Sequence, residues 1–238
     1  MMDTCVKSTA SALLIAVLGT GLPPLDAQTQ PGPKPHGRLF PPQDLGLLEA
    51  PDRDSWQHPD QIMDTLGIAE ASVVADIGAG AGWFTVRLAR RVGPNGKVYS
   101  EDVQPEMVTA ISRRVTSVGL RNVTPILGVE GDPRLPPAVL HAALVVDAYH
   151  EFEDRVTLLR NLAKSLRPEG KIGVVDFKLD GGGPGPPTEE RVKPEIVVQE
   201  AEQAGLRLLA QENFLPYQYF LIFGLQSKPA ATTKARRP

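Results

Sequence analysis

The chain has 238 residues, of which 42% are hydrophobic and 22% charged, and its formal net charge is −3. This apolar content is enough for one good-sized α/β domain. The slight acidity argues against a nucleic-acid partner held by bulk charge. The single cysteine, Cys5, excludes a disulfide framework and a cysteine-cluster metal site, and we expect no metal.

The N-terminus predicts an export signal that lies outside this domain. Lys7 precedes an apolar run at residues 10–18, and glycine, proline and small residues then lead to a predicted cleavage site after Ala27. The apolar run is too short for a comfortable transmembrane helix, so we expect no stable membrane span. Residues 1–27 are therefore interpreted as the signal peptide of an exported or periplasmic protein, and a disordered leader on a cytoplasmic protein is the alternative.

Two further segments have compositions that do not predict a packed core. Residues 28–51 begin rich in proline and glycine and are interpreted as a linker. Residues 226–238 are small, basic and bounded by proline, which predicts a disordered tail. The predicted domain is therefore residues 52–225.

The first βα unit of this domain carries the strongest local pattern. Residues 73–77 are mostly β-branched or apolar and predict a strand, three glycines follow at alternate positions, and residues 83–92 have helical spacing. Such a turn lets backbone N–H groups approach a bound nucleotide or amino-acid carboxylate closely. A tight turn with a purely structural role is the alternative.

Strands and helices alternate through the rest of the domain, which predicts a parallel sheet covered on both faces. Pro125 places the third strand at or near a sheet edge. The last two strands form an antiparallel pair, and residues 180–187, rich in glycine and proline, predict a mobile loop. The predicted strands are 73–77, 97–102, 122–127, 141–148, 171–177, 206–212 and 218–224, and the predicted helices are 60–66, 83–92, 105–118, 154–166 and 194–205.

The glycine spacing distinguishes between two classes of nucleotide-binding protein. A dinucleotide-binding turn, Gly-x-Gly-x-x-Gly, requires a sixth residue small enough for close packing, and Trp83 occupies that position. The pattern is instead Asp-x-Gly-x-Gly-x-Gly, and it resembles the first motif of class I S-adenosylmethionine (SAM) dependent methyltransferases. ADIGAGAGWFT, GPNGKVYSEDVQPEM, DPRLPP, VVDAYHEF and LRPEGKIGVVDF occur in an order similar to the type 11 and ubiquinone/menaquinone C-methyltransferase-like branch.

The resemblance covers roughly residues 52–224 and implies a Rossmann-like sheet of seven strands, mostly parallel with an antiparallel last strand and helices on both faces. It implies SAM as the cofactor, with the glycine turn around its methionine end and Asp102 on its ribose. Either acid of the loop after the third strand, Glu130 or Asp132, is available to cap the adenine. The implied cofactor-binding residues are Asp76, Gly78, Ala79, Gly80, Gly82, Trp83, Asp102, Val103, Glu130, Asp132 and Asp147.

The end of the fourth strand supplies the predicted catalytic residues. In an open α/β sheet the ligand lies beyond the carboxyl ends of the strands, so Asp147, Tyr149 and His150 are expected beside the methyl-transfer point. His150 is the candidate general base, and orienting the loop is its alternative role. Trp56 and His58 are lid candidates, and packing is the simpler role for both.

We therefore predict a SAM-dependent methyltransferase that acts on a small molecule. A non-catalytic, exported binding module with the same fold is the alternative. The sequence identifies neither the acceptor nor the oligomeric state. The glycine- and proline-rich loop is expected either to close over the acceptor or to serve as a solvated connector.

Overall fold

The computed structural model describes residues 39–180 and 182–226, which belong to one compact unit of the chain. The predicted signal peptide, residues 28–38 of the predicted linker, Gly181 and the tail from residue 227 lie outside the described residues. The helices are α1 (Arg53–Gln57), α2 (Pro59–Leu66), α3 (Trp83–Val92), α4 (Pro105–Ser117), α5 (Arg155–Ser165) and α6 (Pro194–Gln203). The strands are β1 (Val73–Ile77), β2 (Lys97–Asp102), β3 (Val123–Leu127), β4 (Leu140–Val146), β5 (Leu166–Phe177), β6 (Leu206–Glu212) and β7 (Gln218–Leu225). Short 3-10 helices cover Pro42–Glu49, Tyr149–Glu151 and Thr188–Glu190.

The seven strands form one sheet in the order β3-β2-β1-β4-β5-β7-β6. Strands β1 to β5 pair in parallel, whereas β7 is antiparallel to both β5 and β6. This confirms the predicted Rossmann-like α/β sheet with an antiparallel last strand. It also confirms the position of Pro125, since β3 is an edge strand and the missing N–H of a proline is tolerated there.

Hydrophobic residues fill both faces of the sheet, as predicted. On one face, α2 and α3 pack through residues such as Leu66 and Leu88 against Val74 and Leu144. On the other face, α5 and α6 cover a second cluster with side chains that include Leu159. Because both faces are covered, the open ends of the strands are the accessible places for a ligand.

The structure corrects the predicted boundary between α5 and β5. Helix α5 ends at Ser165, and Leu166, predicted on the helix, is already paired with Leu140 in the sheet. The next pair is Ala142 with Lys171, so the segment containing Pro168 and Gly170 forms an irregularity within β5. An irregularity of this kind accommodates residues that a regular ladder excludes.

The fourth strand is also shorter at its end than predicted. It stops at Val146 because Asp147 has a φ of 58°, a left-handed conformation that a strand cannot continue. In the described part of the chain, no helix is long and apolar enough to cross a membrane.

Candidate active site

A cavity of about 440 Å³ lies beyond the carboxyl ends of β1, β2, β4 and β5. The glycine turn and the end of β2 form one side, and the segment after β4 forms the other. Three segments from elsewhere cover it: residues 39–41, helix α1 and residues 184–187. Residues 39–50 were predicted as linker, so this part of the predicted linker contributes to the site.

The glycine turn brings the backbone close to the segment that follows β4. Gly78 has a φ of 64°, and a Cβ placed there would lie 2.6 Å from the Cβ of Ala148. The next glycine, Gly80, donates its N–H to Asp102 Oδ2 at 2.9 Å. Ala79 lines the cavity. Gly82 is the N-cap residue of α3 and does not line the cavity. The turn therefore ties β1 to β2 and leaves a narrow backbone wall beside the cavity.

Asp76, at the end of β1, is buried and lines the cavity. Its Oδ2 accepts a hydrogen bond from Thr85 Oγ1 at 2.6 Å, and Thr85 Oγ1 lies 2.7 Å from Ser100 Oγ. Burial raises the pKa of Asp76 to about 6, against the lowering effect of the Thr85 hydrogen bond. A cation bound in the cavity would favour the charged form of this carboxyl.

Two carboxyl groups, Glu101 and Asp102, line the cavity at the end of β2. Asp102 accepts N–H bonds from Gly80 and from Gln104, both at 2.9 Å. Burial raises its pKa, and these N–H groups act in the opposite direction. Burial, followed by the charge of Asp102, raises the pKa of Glu101 to about 8. Asp102 was predicted from the sequence and Glu101 was not, although two adjacent acids at the end of a strand are a signal that could have indicated both.

Helix α1 contributes a cluster of polar side chains that was also not predicted from the sequence. Arg53 Nη2 donates to Asp147 Oδ2 at 2.8 Å, and Gln57 Nε2 donates to the same oxygen at 3.1 Å. Gln218 of β7 donates to Asp147 Oδ1 and accepts from Gln57 at 3.1 Å. Burial raises the pKa of Asp147 to about 6, while the Arg53 charge lowers it. The Arg53 guanidinium also lies 4.2 Å from the centre of the Trp83 ring.

His150 lines the cavity on the side of the segment that follows β4, and it is paired with Asp176 of β5. His150 Nδ1 is 3.0 Å from Asp176 Oδ1, and the backbone N–H of His150 donates to Asp176 Oδ2 at 3.0 Å. Burial lowers the pKa of His150, but the hydrogen bond and charge of Asp176 outweigh it, so that the pKa is raised. Burial raises the pKa of the neighbouring Glu151 to about 7.

Three predicted site residues lie elsewhere in the structure. Tyr149 is buried away from the cavity, where its hydroxyl donates to Glu200 Oε2 at 2.7 Å, so its predicted place beside the acceptor is corrected. Glu130 accepts the N–H groups of Glu153 and Asp154, and Asp132 accepts the N–H of Arg134. Neither of these acids lines the cavity, so their predicted contact with adenine has no support from its shape.

Apart from Gly82, the other predicted cofactor-binding and catalytic residues line the cavity. Trp83 and Val103 line it, and so does Trp56. The Trp56 ring packs at 6.4 Å from Phe177 and at 6.2 Å from Tyr217, measured between ring centroids. His58 does not line the cavity and packs on Phe214 instead, with ring centroids 6.4 Å apart, which agrees with a packing role. The described residues hold no group of three or more His, Cys, Asp or Glu side chains arranged for a metal ion.

Comparison with known proteins places this geometry in a class. Residues 74–170 match a family model described as a methyltransferase domain. Nocamycin O-methyltransferase of Saccharothrix syringae is 32% identical over 116 residues, which is 49% of this chain and 39% of that protein. A protein-L-isoaspartate O-methyltransferase of Ignicoccus hospitalis is 33% identical over 75 residues, which is 32% of this chain and 35% of that protein. The chain thus spans less than half the length of these curated relatives.

A solved structure covers more of the fold. A SAM-dependent methyltransferase from Aquifex aeolicus superposes with a TM-score of 0.75 at 28% identity, over 78% of this chain and 99% of that one. The sheet order and the glycine turn define the class of Rossmann-like methyltransferases. The family match, these relatives and this structure support a class I SAM-dependent methyltransferase with SAM as its cofactor.

Proposed function

We propose that this protein transfers the methyl group of SAM to a small molecule. One observation carries the proposal: the glycine turn and Asp102 share a single cavity with His150. A cofactor held by the glycine turn and Asp102 would therefore have its reactive end toward His150. SAM supplies an electrophilic methyl group on a sulfonium, and the protein has to bind it, orient the acceptor and exclude water.

The charges of the cavity suit this cofactor. Among the described residues, six carboxyl groups and one guanidinium line it, and burial raises the pKa of Asp76 and of Glu101. SAM carries a sulfonium and an ammonium, so its binding relieves this excess of negative charge. We infer that Asp76 binds the ammonium, Arg53 the carboxylate and Asp102 the ribose hydroxyls.

The test of this assignment is calorimetric titration with S-adenosylhomocysteine. Asp102→Ala should weaken binding by about 1 to 3 kcal/mol, the cost of losing a charged hydrogen-bond partner. Asp132→Ala is the matched control, because this acid lies outside the cavity and should leave the affinity unchanged. Equal affinities of the two variants would show that Asp102 does not hold the cofactor.

The enclosure of the transfer point supports a small acceptor. The backbone N–H of Phe40 donates to Glu151 Oε2 at 3.0 Å, and the carbonyl of Phe40 accepts from Gln104 Nε2 at 3.1 Å. Residues 39–41 thus lie across the cavity, tied to its acceptor side and its cofactor side. Trp56 and residues 184–187 narrow the remaining opening.

Because a relative of this chain methylates a protein, the size of the acceptor needs its own test. An extract of the source cell is incubated with the enzyme and labelled SAM, then separated by ultrafiltration. We expect the label in the low-molecular-mass fraction. Label confined to the protein fraction would overturn the proposal of a small acceptor and leave methyl transfer itself intact.

We also propose that the protein is exported, on the basis of Lys7 and the apolar run at residues 10–18. N-terminal sequencing of protein recovered from the native cell envelope tests this. A mature chain beginning at Gln28 is expected. A cytosolic chain that keeps its original N-terminus would contradict export.

A further inference from the structure

We propose that Asp176 is a positioning residue that fixes His150 as a general base, and that the acceptor is an uncharged molecule methylated on a hydroxyl. This inference rests on the proposed methyltransferase function and deepens it. It is carried by the hydrogen bonds around Asp176, by the orientation they give to the imidazole, and by the charges that line the cavity.

Asp176 is fully buried, and among the described residues its hydrogen-bond donors belong to His150 and Phe177. It accepts the backbone N–H of His150 at 3.0 Å and the backbone N–H of Phe177 at 2.7 Å. The remaining partner is the imidazole, with Nδ1 at 3.0 Å from Oδ1 and at 3.1 Å from Oδ2. A carboxylate can only accept hydrogen bonds, so the proton of a neutral His150 is held on Nδ1.

The other ring nitrogen, Nε2, is therefore left with its lone pair. Glu151 Oε1 lies 3.8 Å from Nε2, which is beyond hydrogen-bond distance, and the other oxygen of Glu151 accepts the N–H of Phe40. His150 is only 5% exposed and lines the cavity. His150 Nε2 is therefore the proton acceptor available to a ligand, and two hydrogen bonds from His150 to Asp176 hold the residue in place.

The charged groups around the ring favour its protonated form. Asp176 faces it from β5, Glu151 from its own turn and Asp147 from the end of β4, and all three raise the pKa of His150 against the lowering effect of burial. From α5, Arg155 contacts His150 through the backbone carbonyl, with its Nη2 at 3.4 Å, and its Nη1 lies 3.5 Å from Glu200 Oε1. The imidazolium that forms when a proton is taken up is thus stabilised where it arises.

A hydroxyl acceptor fits this geometry because it has a proton that His150 Nε2 can accept. The O–H proton moves to His150 Nε2 while a lone pair of the oxygen forms the bond to the methyl carbon. The bond between that carbon and sulfur breaks, and its electron pair stays on sulfur as a neutral thioether. The products are the methyl ether, S-adenosylhomocysteine and the imidazolium, which then releases its proton to solvent.

The lining of the cavity indicates the charge of the acceptor. Among the residues that the structure describes, Arg53 is the single Lys or Arg side chain in the lining, against six carboxyl groups, and it already pairs with Asp147. An anionic acceptor would meet repulsion without a free cation to offset it. The aromatic rings of Trp56 and Phe177 line the cavity and supply an apolar contact for an uncharged body.

The positioning role of Asp176 is tested without any acceptor. Imidazole nitrogen NMR is recorded on the complex with S-adenosylhomocysteine, and we expect the Nδ1–H tautomer of His150. In Asp176→Asn the pKa of His150 should fall by about 1 to 3 units, the range expected for losing an adjacent opposite charge. Glu200→Gln is the control, because Glu200 is a partly buried acid of the same region that bonds Tyr149 instead. An Nε2–H tautomer in the wild type, or equal pKa values in the two variants, would overturn the role.

The acceptor class is tested with labelled SAM and four matched probes: phenol, benzyl alcohol, benzylamine and benzoate. We expect transfer to phenol or benzyl alcohol, with kcat falling at low pH as His150 becomes protonated. His150→Gln should lower kcat about 10²- to 10⁴-fold, the usual share of a general base, and keep its affinity for S-adenosylhomocysteine. Transfer to benzylamine or benzoate alone, or to none of the probes, would overturn the hydroxyl assignment. Failure to bind S-adenosylhomocysteine would instead refute the proposed function, and imidazole nitrogen NMR on the ligand-free protein would still decide the role of Asp176.

Discussion

The close contact at Gly78 yields a prediction whose size follows from the structure. Alanine at this position must adopt the left-handed conformation, with φ near 64°, and place its Cβ 2.6 Å from the Cβ of Ala148. The left-handed backbone conformation costs an alanine about 1 to 2 kcal/mol. The lower conformational entropy of the unfolded alanine variant offsets about 0.4 to 1 kcal/mol of this cost. The clash adds about 1 to 3 kcal/mol, as overpacking in a dense region does.

Gly67 provides the matched control, because its φ is 74° and a Cβ there would meet nothing within 4 Å. Gly67→Ala should therefore lose only the backbone part, and Gly78→Ala should lose about 1 to 3 kcal/mol more in urea unfolding. That difference corresponds to about 2 to 12 °C in melting temperature. Gly78→Ala should also weaken S-adenosylhomocysteine binding, since Gly78 lines the cavity. Equal losses of stability in the two variants would refute the tight contact between the glycine turn and the end of β4.

Two further predictions concern pH and the loop over the site. Burial raises the pKa of Glu101 to about 8 and that of Glu151 to about 7, so the folded protein holds more protons than the unfolded chain between pH 4.5 and these values. The free energy of unfolding without ligand should then fall as pH rises through this range, and Glu101→Gln should flatten the trend. A melting temperature that rises from pH 5.5 to pH 8.5 would contradict this. Arg191 holds the loop through the carbonyls of Lys178 at 2.7 Å and Pro186 at 2.9 Å, so Arg191→Lys should raise the KM of the acceptor and leave the Kd of S-adenosylhomocysteine unchanged. An unchanged KM would favour the alternative that this loop is only a solvated connector.

The part of the cavity that we propose for the cofactor could be predicted because it is built from neighbouring residues. The strand, the glycine turn and α3 follow one another within residues 73–92, and each has a pattern with its own physical cause. Asp102 comes at the end of the next strand, where the parallel pairing of β1 and β2 places it beside the turn. Local periodicity and one topological rule are enough to assemble these groups.

The turn after β4 shows why neighbouring residues could not be assigned in the same way. Tyr149, His150 and Glu151 form one turn of 3-10 helix, so their side chains leave the axis about 120° apart. His150 and Glu151 line the cavity, while Tyr149 points into the core toward Glu200. A sequence pattern identifies the turn, but its rotation depends on how the chain leaves β4.

That rotation is set at Asp147, the point where the acceptor half departs most from local rules. Its left-handed conformation costs about 1 to 3 kcal/mol for a residue other than glycine. The side chain is held there by Arg53 and Gln218, which lie 94 and 71 positions away in the chain. No local pattern reports contacts over such distances. The distant residues that hold Asp147 therefore shape a part of the cavity that no local sequence pattern predicts.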